Sequence, residues 1–80
     1  MRLDKFLKES RLIKRRTVAK EACDRGRILQ NGKTAKAGSE VKPGDILELA
    51  FGEKKVRVRV LDLIENPGKD RAREMYELIK

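Results

Sequence analysis

RLDKFLKESRLIKRR, residues 2–16, sets apolar and basic residues in an order that decides how the fold begins. Leu3, Phe6 and Leu7 fall at the i, i+3, i+4 spacing of one helical face, with Lys5, Lys8, Glu9 and Arg11 elsewhere. That spacing predicts a short amphipathic helix over residues 3 to about 12. Asp4 lies in its first turn, where a carboxylate suits the helix dipole, and Lys8 one turn on is its expected partner. A second helix is predicted over residues 15 to about 25, with Val18, Ala19, Ala22 and Cys23 facing inward and Gly26 supplying the left-handed residue that ends it. The break between the helices, Ile13 and Lys14, holds no Gly or Pro and no Ser, Thr, Asp or Asn in cap position. Lys14, Arg15 and Arg16 therefore crowd a helix start, where the dipole disfavours cations. An anion from outside would complete such a site, because free N–H groups and Arg side chains together receive phosphate.

Beyond Gly26 the pattern turns from helical to extended. Ile28, Leu29 and Gln30 lead into Asn31 and Gly32, a two-residue hairpin signal. Pro43 and Gly44 make a second turn, Ile46 to Phe51 reads as a strand, and Gly52 with Glu53 reverses the chain. Val56, Val58 and Val60 alternate with Arg57 and Arg59, as in a half-buried strand. Those two arginines either extend a nucleic-acid surface or keep the sheet soluble. Asn66, Pro67 and Gly68 break the chain again. Asp70 is placed to cap a last helix carrying Ala72, Met75, Tyr76 and Ile79 at i, i+3, i+4, i+7, with Met75 and Tyr76 as core residues. The expected fold is α+β: two N-terminal helices packed on a small, mainly antiparallel sheet, plus a C-terminal helix, in one domain over residues 1–80.

Charge says more about function than size does. The 21 Lys and Arg against 13 Asp and Glu give a net charge of +8 and call for a polyanionic partner, nucleic acid first. Residues 1–40 hold 12 bases and 5 acids, a net of +7, whereas residues 41–80 hold 9 and 8, a net of +1. The binding surface is therefore expected in the first forty residues. Only 4% of residues are aromatic, too few for base stacking to be the main mode of binding. With no histidine, one cysteine and no glycine-rich phosphate loop, no catalytic constellation assembles; the expectation is no enzyme, no metal and no cofactor. Cys23 reads as a small core residue in a reducing cytosol, and no apolar run is long enough to span a membrane. Other uses of the same charge stay open at this point, namely DNA binding or docking of an acidic protein.

The order Arg2, Leu3, Asp4, Lys5, Phe6, Leu7, then a basic step into a helix closing at Gly26, then Ile28, Asn31, Gly32, Lys33, then Val41, Lys42, Pro43, Gly44, Asp45, resembles the S-four-type RNA-binding domain, or alpha-L motif. The likeness covers residues 1–51, leaving 52–80 as a strand and helix extension. Its short stand-alone members, the Hsp-fifteen-like heat-shock proteins and more closely a ribosome-associated quality-control group, are similar in length and in residues 2–16. The resemblance implies a partner of the large ribosomal subunit that still holds peptidyl-tRNA, assisting a factor that adds alanine tails to the trapped nascent chain; a cytoplasmic monomer is expected, since nothing in the sequence suggests a dimer seam. A heat-shock or ribosome-assembly role is the alternative within the same family. The resemblance also implies that Arg2 and Arg16 contact ribosomal RNA first, with Lys14 and Arg15 beside them; helix one and the start of helix two are expected to form one convex basic face that carries these and Lys5 and Arg11. Arg27, Lys33 and Lys36 are expected to reach a second RNA element such as tRNA. RNA of this kind is recognised through shape and phosphates, which suits the planar fork of arginine.

Overall fold

A computed structural model describes residues 1–79; Lys80, the end of the expected last helix, lies outside the described residues. Two helices, α1 (Leu3–Glu9) and α2 (Arg16–Asp24), precede a hairpin of β1 (Ile28–Gln30) and β2 (Lys33–Thr34). A longer hairpin follows, β3 (Ile46–Phe51) with β4 (Lys54–Val60). The chain then makes one helical turn, α3 (Gly68–Arg71), a 3-10 turn (Ala72–Met75) and a last strand, β5 (Tyr76–Leu78). The strands form one antiparallel sheet in the order β2-β1-β3-β4-β5. Leu3, Phe6 and Leu7 of α1 are fully buried with Ala19 and Cys23 of α2 and with Ile28, Leu47, Leu49, Val58 and Val60 of the sheet. Burying these side chains drives the helix pair onto the sheet, each large one contributing about 1.5–3 kcal/mol.

The helix ends depart from the sequence expectations in instructive ways. α1 stops at Glu9, three residues short of the expected boundary, although no glycine follows it. Arg11 itself takes the left-handed conformation at φ 63°; its N–H bonds to Lys8 O at 3.0 Å, and the Ile13 N–H bonds to Leu7 O at 3.0 Å. Gly26 does end α2 as expected, at φ 72°, its N–H donating to Cys23 O and that of Arg27 to Ala22 O, both at 3.0 Å. Val18 is not inward: it is 46% exposed. The buried stripe of α2 is narrow, Ala19, Ala22 and Cys23, and Val18 lies one position, about 100°, off it.

The expected C-terminal helix is present but shorter than predicted, an α turn and a 3-10 turn over residues 68–75, with a strand in place of its last part. Gly68–Arg71 forms a single turn whose N-cap is Pro67, not Asp70, and the backbone opens at Tyr76 to φ −153° and ψ 164°. Ala72 and Met75 are buried as the spacing predicts, but Tyr76 to Leu78 pair with β4, Val60 opposite Tyr76 and Val58 opposite Leu78. The physical reason is the edge of β4: its backbone groups need partners, and a segment alternating as Tyr, Glu, Leu satisfies them while an uncapped helical turn does not.

The Asn31–Gly32 turn forms as the sequence indicates, with φ 52° and 84°. It is locked to the Pro43–Gly44 turn through Asp45. Asp45 accepts hydrogen bonds from the Asn31 amide at 3.1 Å, the Gln30 amide at 2.9 Å and the Lys42 N–H at 2.9 Å. The Gln30 amide also donates to Glu40 O at 2.7 Å, so the loop over residues 37–41 is held from below. Partial burial works against the ionised carboxyl of Asp45. The Lys42 N–H, the two amides and the Lys42 charge outweigh that and hold it below the usual carboxylate range.

Candidate nucleic-acid interface

The two helix starts differ in what satisfies them. At α1 the Leu3 N–H donates to Ser39 O at 2.8 Å, the Asp4 N–H to Ala37 O at 3.1 Å and the Lys5 N–H to the Asp4 carboxylate at 2.8 Å. The loop thus closes this helix start against any ligand. At α2 no side chain caps the helix, Arg15 stands at N-cap in an extended conformation, and the first intrahelical bond is Ala19 N–H to Arg15 O at 3.0 Å. Arg15, Arg16, Thr17 and Val18 are all exposed there. A helix start of this kind carries unsatisfied donors and a positive dipole end, and two arginines flank it.

Asp4 is not paired with Lys8. It is buried, its side chain 4% exposed, and it lies between Arg2 and Arg16, with Arg2 Nε 3.3 Å from Oδ1 and Arg16 Nε 3.4 Å from Oδ2. The Lys8 pairing fails because Asp4 points in toward the helix pair, near the Cys23 thiol, and Lys8 points out. Burial, then the nearby Asp4 and Asp24 charges, push that thiol up to about 11, so Cys23 stays a neutral core group as its sequence context suggests. The pairing also bears on Arg16 itself. Reversing its charge would set a second carboxylate against buried Asp4, so Arg16→Glu is expected to cost stability as well as binding.

Arg2, Arg16, Arg15, Lys14 and Arg11 are all exposed along the helix starts and the turn between them; Arg2 and Arg16 meet at Asp4, and Arg11 and Lys14 line one cleft, which makes a basic strip across the helix pair. Lys5 is partly engaged, its Nζ 3.0 Å from Glu65 Oε1. Lys8, which is outside the site expected from sequence, joins Arg11, Lys14, Glu9, Pro67 and Gly68 in lining a cleft of about 380 Å³. The chain does carry a signal for it: Lys8, Arg11 and Lys14 are spaced three apart. The second set is not brought together. Lys36 lines a cleft with Cys23, Asp24, Gly26 and Gly38, whereas Arg27 lines another with Val18, Ala22 and Phe51, and Lys33 sits at the hairpin tip. Among the described residues there is no cluster of His, Cys, Asp and Glu able to hold a metal ion, and no helix long and apolar enough to cross a membrane.

Known proteins share both the sequence and the fold. A family model described as the S4 domain matches residues 1–47. Over its whole length the chain is 59% identical to a Bacillus subtilis protein named RQC P-site tRNA stabilizing factor, covering 93% of that protein. It is also 59% identical, again over its whole length, to the Listeria monocytogenes protein of the same name, covering 87% of it. Among solved structures, the trimeric structure of Vibrio cholerae Heat Shock Protein 15 matches with a TM-score of 0.84 at 25% identity, over 99% of this chain and 81% of that one.

Proposed function

The chain belongs to the S4-domain family, within it to the group of RQC P-site tRNA stabilizing factors, and from that premise we propose that it is a non-catalytic, cytosolic RNA-binding protein of ribosome-associated quality control. It binds the large ribosomal subunit that retains peptidyl-tRNA after a stalled ribosome has split. There it steadies the P-site tRNA and supports a partner factor that extends the nascent chain with alanine, independently of messenger RNA. The observation that carries this reading is 59% identity, over the whole of this chain, to a factor of that name, in a chain whose matched segment also holds the basic strip.

In this reading residues 1–80 act as one RNA-binding unit and as a monomer, with the S4 motif in 1–51 and the extension in 52–80. Arg2, Lys5, Arg11, Lys14, Arg15 and Arg16 hold phosphates of large-subunit ribosomal RNA, and the open start of α2 takes one of them between Arg15 and Arg16. Arg27, Lys33 and Lys36 serve a second contact, the tRNA. Because Arg27 and Lys36 line different clefts and Lys33 sits at the hairpin tip, they hold separate phosphates. The test is sedimentation of a tagged copy through a sucrose gradient of cell lysate, with Lys14→Glu/Arg15→Glu as control and a probe for peptidyl-tRNA in the peak. Wild type should travel with large subunits bearing peptidyl-tRNA while the variant stays at the top. Wild-type protein on empty or small subunits would sink the quality-control role.

A second reading within the same family, a heat-shock-fifteen-like role, is favoured by the fold match to Heat Shock Protein 15. The two separate on deletion of the gene: alanine tailing is lost under the first reading and retained under the second.

A further inference from the structure

We infer that Asp4 is a positioning residue for RNA binding: its buried carboxylate holds the guanidinium groups of Arg2 and Arg16 in fixed orientation on the basic strip, an inference that rests on the RNA-binding reading above. Two polar side chains are buried among the described residues, Asp4 and Ser10. Ser10 is explained locally, its hydroxyl donating to Leu7 O at 3.2 Å. Asp4 reaches across the helix pair.

Two hydrogen bonds hold Asp4 before any ligand arrives. The Asp4 N–H is held by Ala37 O, and Oδ1 accepts the Lys5 N–H at 2.8 Å. Arg16 then donates its Nε–H to Oδ2 at 3.4 Å and Arg2 sets its Nε 3.3 Å from Oδ1 as an ion pair, while the side chains stay half exposed, at 52% for Arg2 and 50% for Arg16. Engaging only the Nε edge leaves the terminal Nη groups of both arginines for an outside acceptor. The Arg2 guanidinium lies over Gly38, where a Cβ would come 3.8 Å from Nη2, so the loop forms a floor under it.

Stability alone does not account for a carboxylate in this place. A buried ion pair is weak evidence for stability, because desolvating the ions offsets their attraction and an apolar side chain can pack the same interface. Orientation is a better account. A free arginine loses rotamer freedom when it grips a phosphate, and two arginines already held by one carboxylate have lost much of it beforehand. Simple charge counting makes the opposite prediction, since removing a negative charge from a surface that binds a polyanion should tighten binding.

The sign therefore decides, read as affinity for purified large ribosomal subunits at fixed salt. Asp4→Asn keeps an acceptor for the Lys5 N–H and removes the charge; it should weaken binding about tenfold. In an Arg2→Gln/Arg16→Gln background, itself much weaker than wild type, the same change should have no further effect. If Asp4→Asn binds equally or more tightly while the double Gln variant loses affinity, the positioning role is wrong and the basic strip stands. If the double Gln variant binds like wild type, the strip itself is misplaced, and the inference goes with it. Should Asp4→Asn fail to fold by circular dichroism, exchange of arginine Nε–H protons with water in the wild-type protein gives the answer. Slower exchange at Arg2 and Arg16 than at Arg11 and Arg15 supports the role, and equal rates overturn it.

Discussion

α1 and α2 begin only thirteen residues apart and solve the same chemical problem in opposite ways. Every helix start leaves backbone donors without intrahelical partners. At α1 the carbonyls of Ala37 and Ser39 and the Asp4 carboxylate take them, and in doing so fasten the loop between β2 and β3 to the helix. At α2 the sequence offers Arg15 where a Ser or Asp would cap, and the donors face solvent between cations. The closed start serves the fold; the open one, in the reading proposed above, receives a phosphate. A helix can be destabilised at one end and still persist if its other contacts hold it. α2 has those: a glycine-closed C-terminus and a stripe of Ala19, Ala22 and Cys23 in the core.

The largest effect expected from this contrast is on binding at the open start. Lys14→Glu/Arg15→Glu should weaken association with large subunits by about two orders of magnitude and lower the salt slope by about two, one for each phosphate that is no longer neutralised. Its melting temperature should stay near wild type, since both side chains are exposed and have no ion-pair partner among the described residues. Arg73→Glu, also exposed but in the 3-10 turn, should change affinity less than twofold. Equal losses from the two variants in a filter-binding assay would mean that the footprint is set by net charge and not by the α2 start.

The closed start is broken from a distance. Asp45 holds Lys42 and the amides of Asn31 and Gln30, and Gln30 holds Glu40 in the loop that caps α1. Asp45→Ala should therefore cost about 2 kcal/mol in urea unfolding at neutral pH, with Leu3 and Asp4 amide protection falling along with it. Because its folded carboxyl sits below the usual range, the ionised Asp45 stabilises the native state. That contribution is fully present above the unfolded value of about 3.9 and is lost as pH falls through the lower folded value. The gap between wild type and variant should hold from neutral pH down to about 4 and narrow below it. A gap independent of pH down to about 2 would mean that the charge is not what Asp45 supplies.

These contrasts were unevenly legible in the sequence, and locality explains which. Leu3, Phe6 and Leu7, the Asn31–Gly32 turn and the β3 boundaries depend on residues a few positions apart, so pattern and turn chemistry suffice. The open start of α2 was also legible, because a missing cap is a local fact. Other features depend on residues far apart in sequence. Asp4 finds Arg16 only once α1 and α2 cross, and the Met75–Ile79 pattern suits a helix until the free edge of β4 competes for it. The early end of α1 is a third kind of miss. The left-handed position went to Arg11 without a glycine to announce it, and Arg11 shares a cleft with Lys8 and Lys14.

The smallest effect bears most directly on why the second start is open. Arg15 already has the extended backbone of an N-cap, φ −121° and ψ 136°, so serine fits there without rearrangement. Arg15→Ser should let a hydroxyl accept from the open donors and raise stability by about 0.5–1 kcal/mol, readable as a small upward shift of the urea midpoint. The same change should weaken binding, because it removes a cation and occupies the N–H groups that a phosphate would use. A gain in stability paired with a loss in affinity is what a start reserved for a ligand requires, since selection for the fold alone would favour the capped sequence. If Arg15→Ser gains stability and binds as well as wild type, the missing cap has no part in recognition, and the arginines act through charge alone.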